Sequence, residues 1–285
     1  MKKILKTVGV VLLLVVVYFV FQSVLATIPM VVYLFKTHGV EALSDVGSVS
    51  EIMGVSSDAG ALDPGVVNAL AWGMMLATLA MLLFLQLTGF YKIKRDLFTS
   101  VSRRPLVLSV LLVFASMFAL NIFVQSFELE DMLAKQMNAL SHNLVGALTI
   151  SLFAPLLEEA LFRGAIQGYM MRHFKPWTAI ICSALVFGLV HMNPVQVVYA
   201  TCLGVIFGWI YYRTGSLLPV ILGHVLNNSI ATILTVSGVE EESFVSADTA
   251  EKVVMVVVFM VSVFVAAKLV RMLNKSLPPV NGSNE

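Results

Sequence analysis

Eight apolar runs, each bounded by charges or turn residues, constrain this chain more than any other feature: 8–35, 66–87, 106–127, 144–170, 177–192, 195–212, 217–236 and 253–269. Crossing about 30 Å of hydrocarbon takes roughly 20 apolar residues as a helix, which satisfies its own backbone polar groups where no water can. The runs therefore predict an all-α, polytopic integral membrane protein of about eight transmembrane helices. Composition excludes a soluble globular domain: 59% of residues are hydrophobic and 12% charged, against about 25% charged in an average soluble domain.

Orientation follows from Lys and Arg. With the amino terminus in the cytoplasm, 14 of the 18 basic residues face that side, Lys36, Lys135 and Lys252 face outward, and Arg163 falls within the membrane. This bias predicts an even number of spans with both termini cytoplasmic. Acidic residues gather in outward segments around 41–63, 128–131 and 240–251. The 18 basic and 17 acidic side chains nearly cancel, so the chain has no bulk field to recruit nucleic acid, and none is expected as a partner. The bilayer is the expected environment. The first run is too long for a removable signal peptide and reads as a permanent span, kinked at Pro29. Cys182 and Cys202 lie inside apolar runs without CxxC spacing and read as packing residues. His38, His142 and His173 fall near or beyond span ends, Asn193-Pro194 marks an outward turn, and residues 278–285 form a short polar tail.

A charge at the centre of a span costs about 2.5–3.5 kcal/mol on insertion scales, so it marks a cavity or a partner. The exceptions to apolarity concentrate in three spans. Span four holds Glu158, Glu159 and Arg163, span five His191, and span seven His224 and Asn228. Residues four apart on a helix lie about 40° from each other, so Glu159 and Arg163 share a face and neutralise one another. Glu158 is turned about 100° away and is left for chemistry. His224 and Asn228 share a face of span seven, and Phe187 lies one turn below His191. Two imidazoles, an amide and a free carboxylate between spans four, five and seven can activate a water and hold an oxyanion.

Plainer readings apply to each residue taken alone. Glu159 with Arg163 is explained as a structural ion pair, Asn228 as interhelical glue, and Gly164/Gly168 and Gly204/Gly208 as close-packing sites of GxxxG spacing. Depth is an obstacle: counting 1.5 Å per residue puts Glu158 and His224 in the inner half of the membrane, but His191 about 20 Å from the cytoplasmic end of span five. A tilted span five, or a span four centred on Glu158, would bring them together.

These residues resemble the CPBP intramembrane protease family, the type II CAAX prenyl endopeptidase and bacteriocin-processing group. Its EExxxR, FxxxH and HxxxN motifs read here Glu158-Glu159-Ala-Leu-Phe-Arg163, Phe187-Gly-Leu-Val-His191 and His224-Val-Leu-Asn-Asn228. The resemblance covers about residues 143–236. It divides the chain into amino-terminal spans 1–142, a protease-like core 143–236, and an outward acidic loop, last span and tail 237–285.

The resemblance implies hydrolysis of a peptide bond in a membrane-associated protein or peptide, including prenylated CAAX-type substrates. Glu158 and His191 would activate water, His224 and Asn228 would stabilise the oxyanion, and Arg163, with Glu159 and Phe187, would support them. Glu158, His191 and His224 could instead be three ligands of a catalytic zinc with water in fourth place, although no HExxH helix is present. Both chemistries stay open at this point, and so do an ion- or proton-coupled transporter and a noncatalytic scaffold, since intramembrane Glu, His and Arg also build ion pathways.

Overall fold

The computed structural model describes residues 2–44, 62–91, 101–239 and 244–278. Lys92, Lys94, Arg95, most of the first acidic segment, the start of the third, and the tail beyond Pro278 lie outside the described residues. Among the described residues the chain is all-helical. Seven helices are long and apolar enough to cross a membrane: α1 (Lys3–Thr37), α2 (Pro64–Thr88), α3 (Arg103–Gln125), α5 (Leu144–Met170), α7 (Pro194–Thr214), α8 (Leu218–Val236) and α9 (Thr249–Ser276). A short surface helix, α4 (Ala134–Ser141), precedes α5.

The fifth run differs from the expectation. It forms α6 (Pro176–Leu189), only 14 residues or about 21 Å of helix, because the chain turns at His191 before Pro194 opens α7. Pro begins α2, α6 and α7 at the position where its missing N–H costs nothing. Asp63 and Asn143 cap α2 and α5 through their side chains, and Asp248 with Glu251 forms a capping box on α9.

Three π-type segments interrupt the α-helical ladder: Phe21–Leu25 in α1, and Thr149–Phe153 and Glu159–Gln167 in α5. Two have a local cause. Pro29 and Pro155 cannot donate to the carbonyls four residues back, Leu25 and Ser151, and each of these carbonyls lies in the π segment preceding its proline. The expected disturbance in the first span is thus taken up just ahead of Pro29.

Helix α3 lies at the centre. Half of its apolar window is buried, against 11% in α1 and α9, and α3 packs against α7, α8 and α9. The core runs from Leu14 of α1 through Leu112, Leu161, Phe187, Phe207 and Val220. Gly204 and Gly208 let α7 close on its neighbours, for a Cβ there would stand 3.2 Å from Ala184 and 2.7 Å from the Gln167 amide. A Cβ on Gly164 would meet the Tyr91 ring at 2.6 Å, whereas one on Gly168 would find only ordinary contacts. Cys182 and Cys202 are free thiols, half-buried within the helices. His142 and His173 are exposed.

Candidate active site

The change from α to π hydrogen bonding in α5 falls between Glu158 and Glu159. Glu159 is fully buried, and its Oε1 accepts from the Arg163 guanidinium at 3.0 Å. The same oxygen lies 2.7 Å from Nδ1 of His224 on α8. On the other side of that imidazole, Nε2 stands 3.5 Å from Oε2 of Glu158. Both neighbouring carboxylates therefore address one histidine. The reading of Glu159 as a partner for Arg163 alone was incomplete, because its second role lies 65 residues away on another helix and left no signature in local spacing.

Arg163 is almost fully buried, a placement an ammonium or guanidinium tolerates only with partners. Beyond Glu159, it donates to the Gly204 carbonyl at 3.4 Å and lies over the rings of Phe187 and Phe207, 4.2 and 5.2 Å from their centroids. Phe207 also stacks on His224 at 5.0 Å. One turn along, Gln167 repeats the pattern by donating to the Gly208 carbonyl at 2.9 Å. Two side chains four apart on α5 thus meet two carbonyls four apart on α7, and the glycines leave room for them. Gln167 was missed in the sequence; its spacing four residues after Arg163 on α5, matching the four between Gly204 and Gly208 on α7, was the available clue.

His191 lies in the turn after α6, with Nδ1 2.8 Å from the Phe187 carbonyl. A carbonyl can only accept, so Nδ1 is the donor in this contact. The Phe187 ring stands edge-on to both histidines, 5.0 Å from His191 and 5.9 Å from His224. Phe187 therefore stands between the two imidazoles. Among the described residues His191 makes no ion pair or hydrogen bond with either glutamate.

The turn around His191 is held from outside. Met192 is a non-glycine residue at φ 53°, a conformation that persists only when its surroundings impose it. Fully buried Asn193 donates to Asp131 at 2.9 Å and accepts from the Met132 backbone N–H at 3.2 Å. The loop before α4 thereby pins the α6–α7 turn.

Asn228 sits one turn beyond His224, as its spacing requires, but faces other partners. Its Nδ2 donates to the Ile150 carbonyl at 3.0 Å, and its Oδ1 accepts from Asn227. Asn227 in turn accepts from the Tyr199 hydroxyl. Neither Asn227 nor Tyr199 stood out in the sequence, because both lie within apolar runs whose polar members only the packing pairs.

Among the described residues, no three His, Cys, Asp or Glu side chains are gathered closely enough to hold a metal ion. Glu158 and His224 approach each other, while His191 is held apart from them. As placed, these donors do not form the three-ligand set that zinc catalysis uses.

Residues 140–230 match the family model described as type II CAAX prenyl endopeptidase Rce1-like. That stretch contains all three motifs, so the resemblance read from residues 158–228 is carried by an independent match. Over 84 residues the chain is also 30% identical to the candidate membrane peptidase YdiL of Bacillus subtilis (strain 168). This alignment covers 30% of the chain and 34% of the relative, so the chain spans about one third of that curated protein. No solved structure matches the chain.

Proposed function

We propose that this protein is an intramembrane endopeptidase that hydrolyses a peptide bond of a membrane-associated protein or peptide, prenylated CAAX-type tails being one candidate class. The observation that carries the reading is the placement of His224 between Glu158 and Glu159 within the stretch that matches the protease family. A transporter or a scaffold accounts for buried charges but not for that match.

Glu158 is the one of the two carboxylates with an exposed edge, 14% against 0%, and it takes the proton from the attacking water. His191, whose Nδ1 is taken up by the Phe187 carbonyl, holds the same water through Nε2. The resulting hydroxide oxygen adds to the scissile carbonyl carbon, and the proton on Glu158 passes to the leaving amine nitrogen as the C–N bond breaks. His224 meets the oxyanion as a donor. Nδ1 is engaged by Glu159 at 2.7 Å, which leaves the Nε2 edge, 3.5 Å from Glu158, for that contact. Asn228 supplies the second oxyanion donor. Arg163, Glu159 and Phe187 hold the imidazole in place.

The catalytic core is residues 143–236. Both termini face the cytoplasm, following the Lys and Arg bias, and substrate enters from that side. The test is cleavage of a panel of fluorogenic prenylated and unprenylated C-terminal peptides by the purified protein in lipid. Wild type, Glu158→Gln and His224→Ala are compared, with and without a strong chelator. We expect cleavage by wild type, loss in both variants and no effect of the chelator. Persistence of cleavage in both variants would remove the site. Loss on chelation with recovery on added zinc would replace the metal-free base by a zinc mechanism.

A further inference from the structure

A directed chain of hydrogen bonds crosses three helices and passes through one of the proposed oxyanion donors. The Tyr199 hydroxyl of α7 donates to Oδ1 of Asn227 at 2.6 Å. Asn227 Nδ2 donates to Oδ1 of Asn228 at 2.9 Å, and Asn228 Nδ2 donates to the Ile150 carbonyl in the first π segment of α5 at 3.0 Å. Asn227 is buried, 8% exposed, in a helix whose remaining inward residues are largely apolar.

Every link points the same way. Turning over the Asn228 amide would set its oxygen against the Ile150 carbonyl oxygen, so that carbonyl fixes which edge of the amide is the donor edge. A donor bonded to an amide oxygen also polarises that amide and strengthens the hydrogen bonds its own N–H groups give. One Asn228 N–H is engaged by Ile150, and the other is left to donate.

We infer that Tyr199 and Asn227 are positioning residues for hydrolysis, which orient and polarise the Asn228 amide so that its donor edge is set before substrate arrives. Neither touches the reacting atoms. The inference rests on the proposed role of Asn228 as an oxyanion donor. A chain that merely glued α5, α7 and α8 together would act on stability, whereas a polarising chain acts on turnover, because the oxyanion exists only in and around the transition state.

The experiment is steady-state cleavage by full-length protein in lipid, with Tyr199→Phe, Asn227→Asp, Asn228→Ala and the Tyr199→Phe/Asn228→Ala pair, alongside thermal unfolding in detergent. Tyr199→Phe removes a single hydroxyl. It is expected to lower kcat about fivefold, the size of one neutral hydrogen bond, with KM unchanged and only a modest fall in unfolding temperature from the Asn227 oxygen left without this donor. Asn227→Asp cannot donate to Asn228 and should lose more. Asn228→Ala should lose about a hundredfold, and adding Tyr199→Phe to it should cost nothing further, since the two act through one group. Asn228→Asp takes its place in the cycle where the alanine variant does not fold. A wild-type rate in Asn228→Ala would remove the oxyanion role and the relay with it. A slow Asn228→Ala beside an unchanged kcat in Tyr199→Phe, or an undiminished further loss in the pair, would overturn the relay and leave the site intact.

Discussion

Glu159 reaches His224 across 65 residues of sequence, with 2.7 Å between Oε1 and Nδ1, and the same oxygen takes the Arg163 guanidinium at 3.0 Å. A buried carboxylate of this kind organises the imidazole that the neighbouring Glu158 also faces. The two adjacent glutamates thus differ in exposure, Glu159 fully enclosed and Glu158 14% exposed.

Replacing Glu158 by Gln should therefore separate chemistry from folding. We expect hydrolysis to fall by about 10²–10⁴-fold, the usual contribution of a positioned acid–base group, with the unfolding temperature in detergent little changed. An equal loss of stability would show that Glu158 is structural.

Arg163→Ala should act in the opposite sense, first on stability. It leaves Glu159 buried without its counter-charge, at a cost of about 3–5 kcal/mol, read by detergent or chemical unfolding. Arg163→Lys should recover only part of this, because an ammonium does not reproduce the planar guanidinium that lies over Phe187 and Phe207 while meeting Gly204. Full recovery in the lysine variant would show that charge alone matters.

Gly188→Ala tests the contact of α6 with α7. A Cβ at this position would collide with the Thr201 side chain and stand 2.7 Å from the Val197 carbonyl, and residue 188 adjoins the Phe187 ring between the two histidines. Overpacking of this kind costs about 1–3 kcal/mol. Activity should fall further than stability, as measured by cleavage at a temperature where the variant is still folded.

Asn193→Ala should loosen the turn that carries His191. The change strips Asp131 and the Met132 N–H of a buried partner, at about 1–3 kcal/mol. Proteolysis or hydrogen exchange of the 126–133 loop should rise with it. Unchanged protection there would show that the loop does not depend on this bond.

The existence of the helices, their membrane character and the three polar clusters were legible in the sequence, because hydropathy over about 20 residues and charge inside an apolar run are local properties; the extents of α6, shorter than its run, and of α9, which begins at Thr249 and ends at Ser276, were not. The α5 boundaries, 144–170, came out as read. So did the pairing of Glu159 with Arg163, which depends only on residues four apart on one turn. Pro29 signalled the break in the first span, although not its form as a π segment.

The tertiary structure decided what those residues face. The offset of about 100° between Glu158 and Glu159 does not send them to different partners, because His224 of α8 lies between them with Nδ1 toward Glu159 and Nε2 toward Glu158. The shortness of α6, the placing of His191 in a turn braced by Asn193, and the engagement of Asn228 by Ile150 and Asn227 are likewise contacts between segments far apart in the chain. The sequence by itself determined which residues could not be left in lipid. Only the packing of α5 against α7 and α8 decided which partners satisfied them, because in a low-dielectric interior each buried charge or amide is settled by whichever complementary group the fold brings within hydrogen-bond reach.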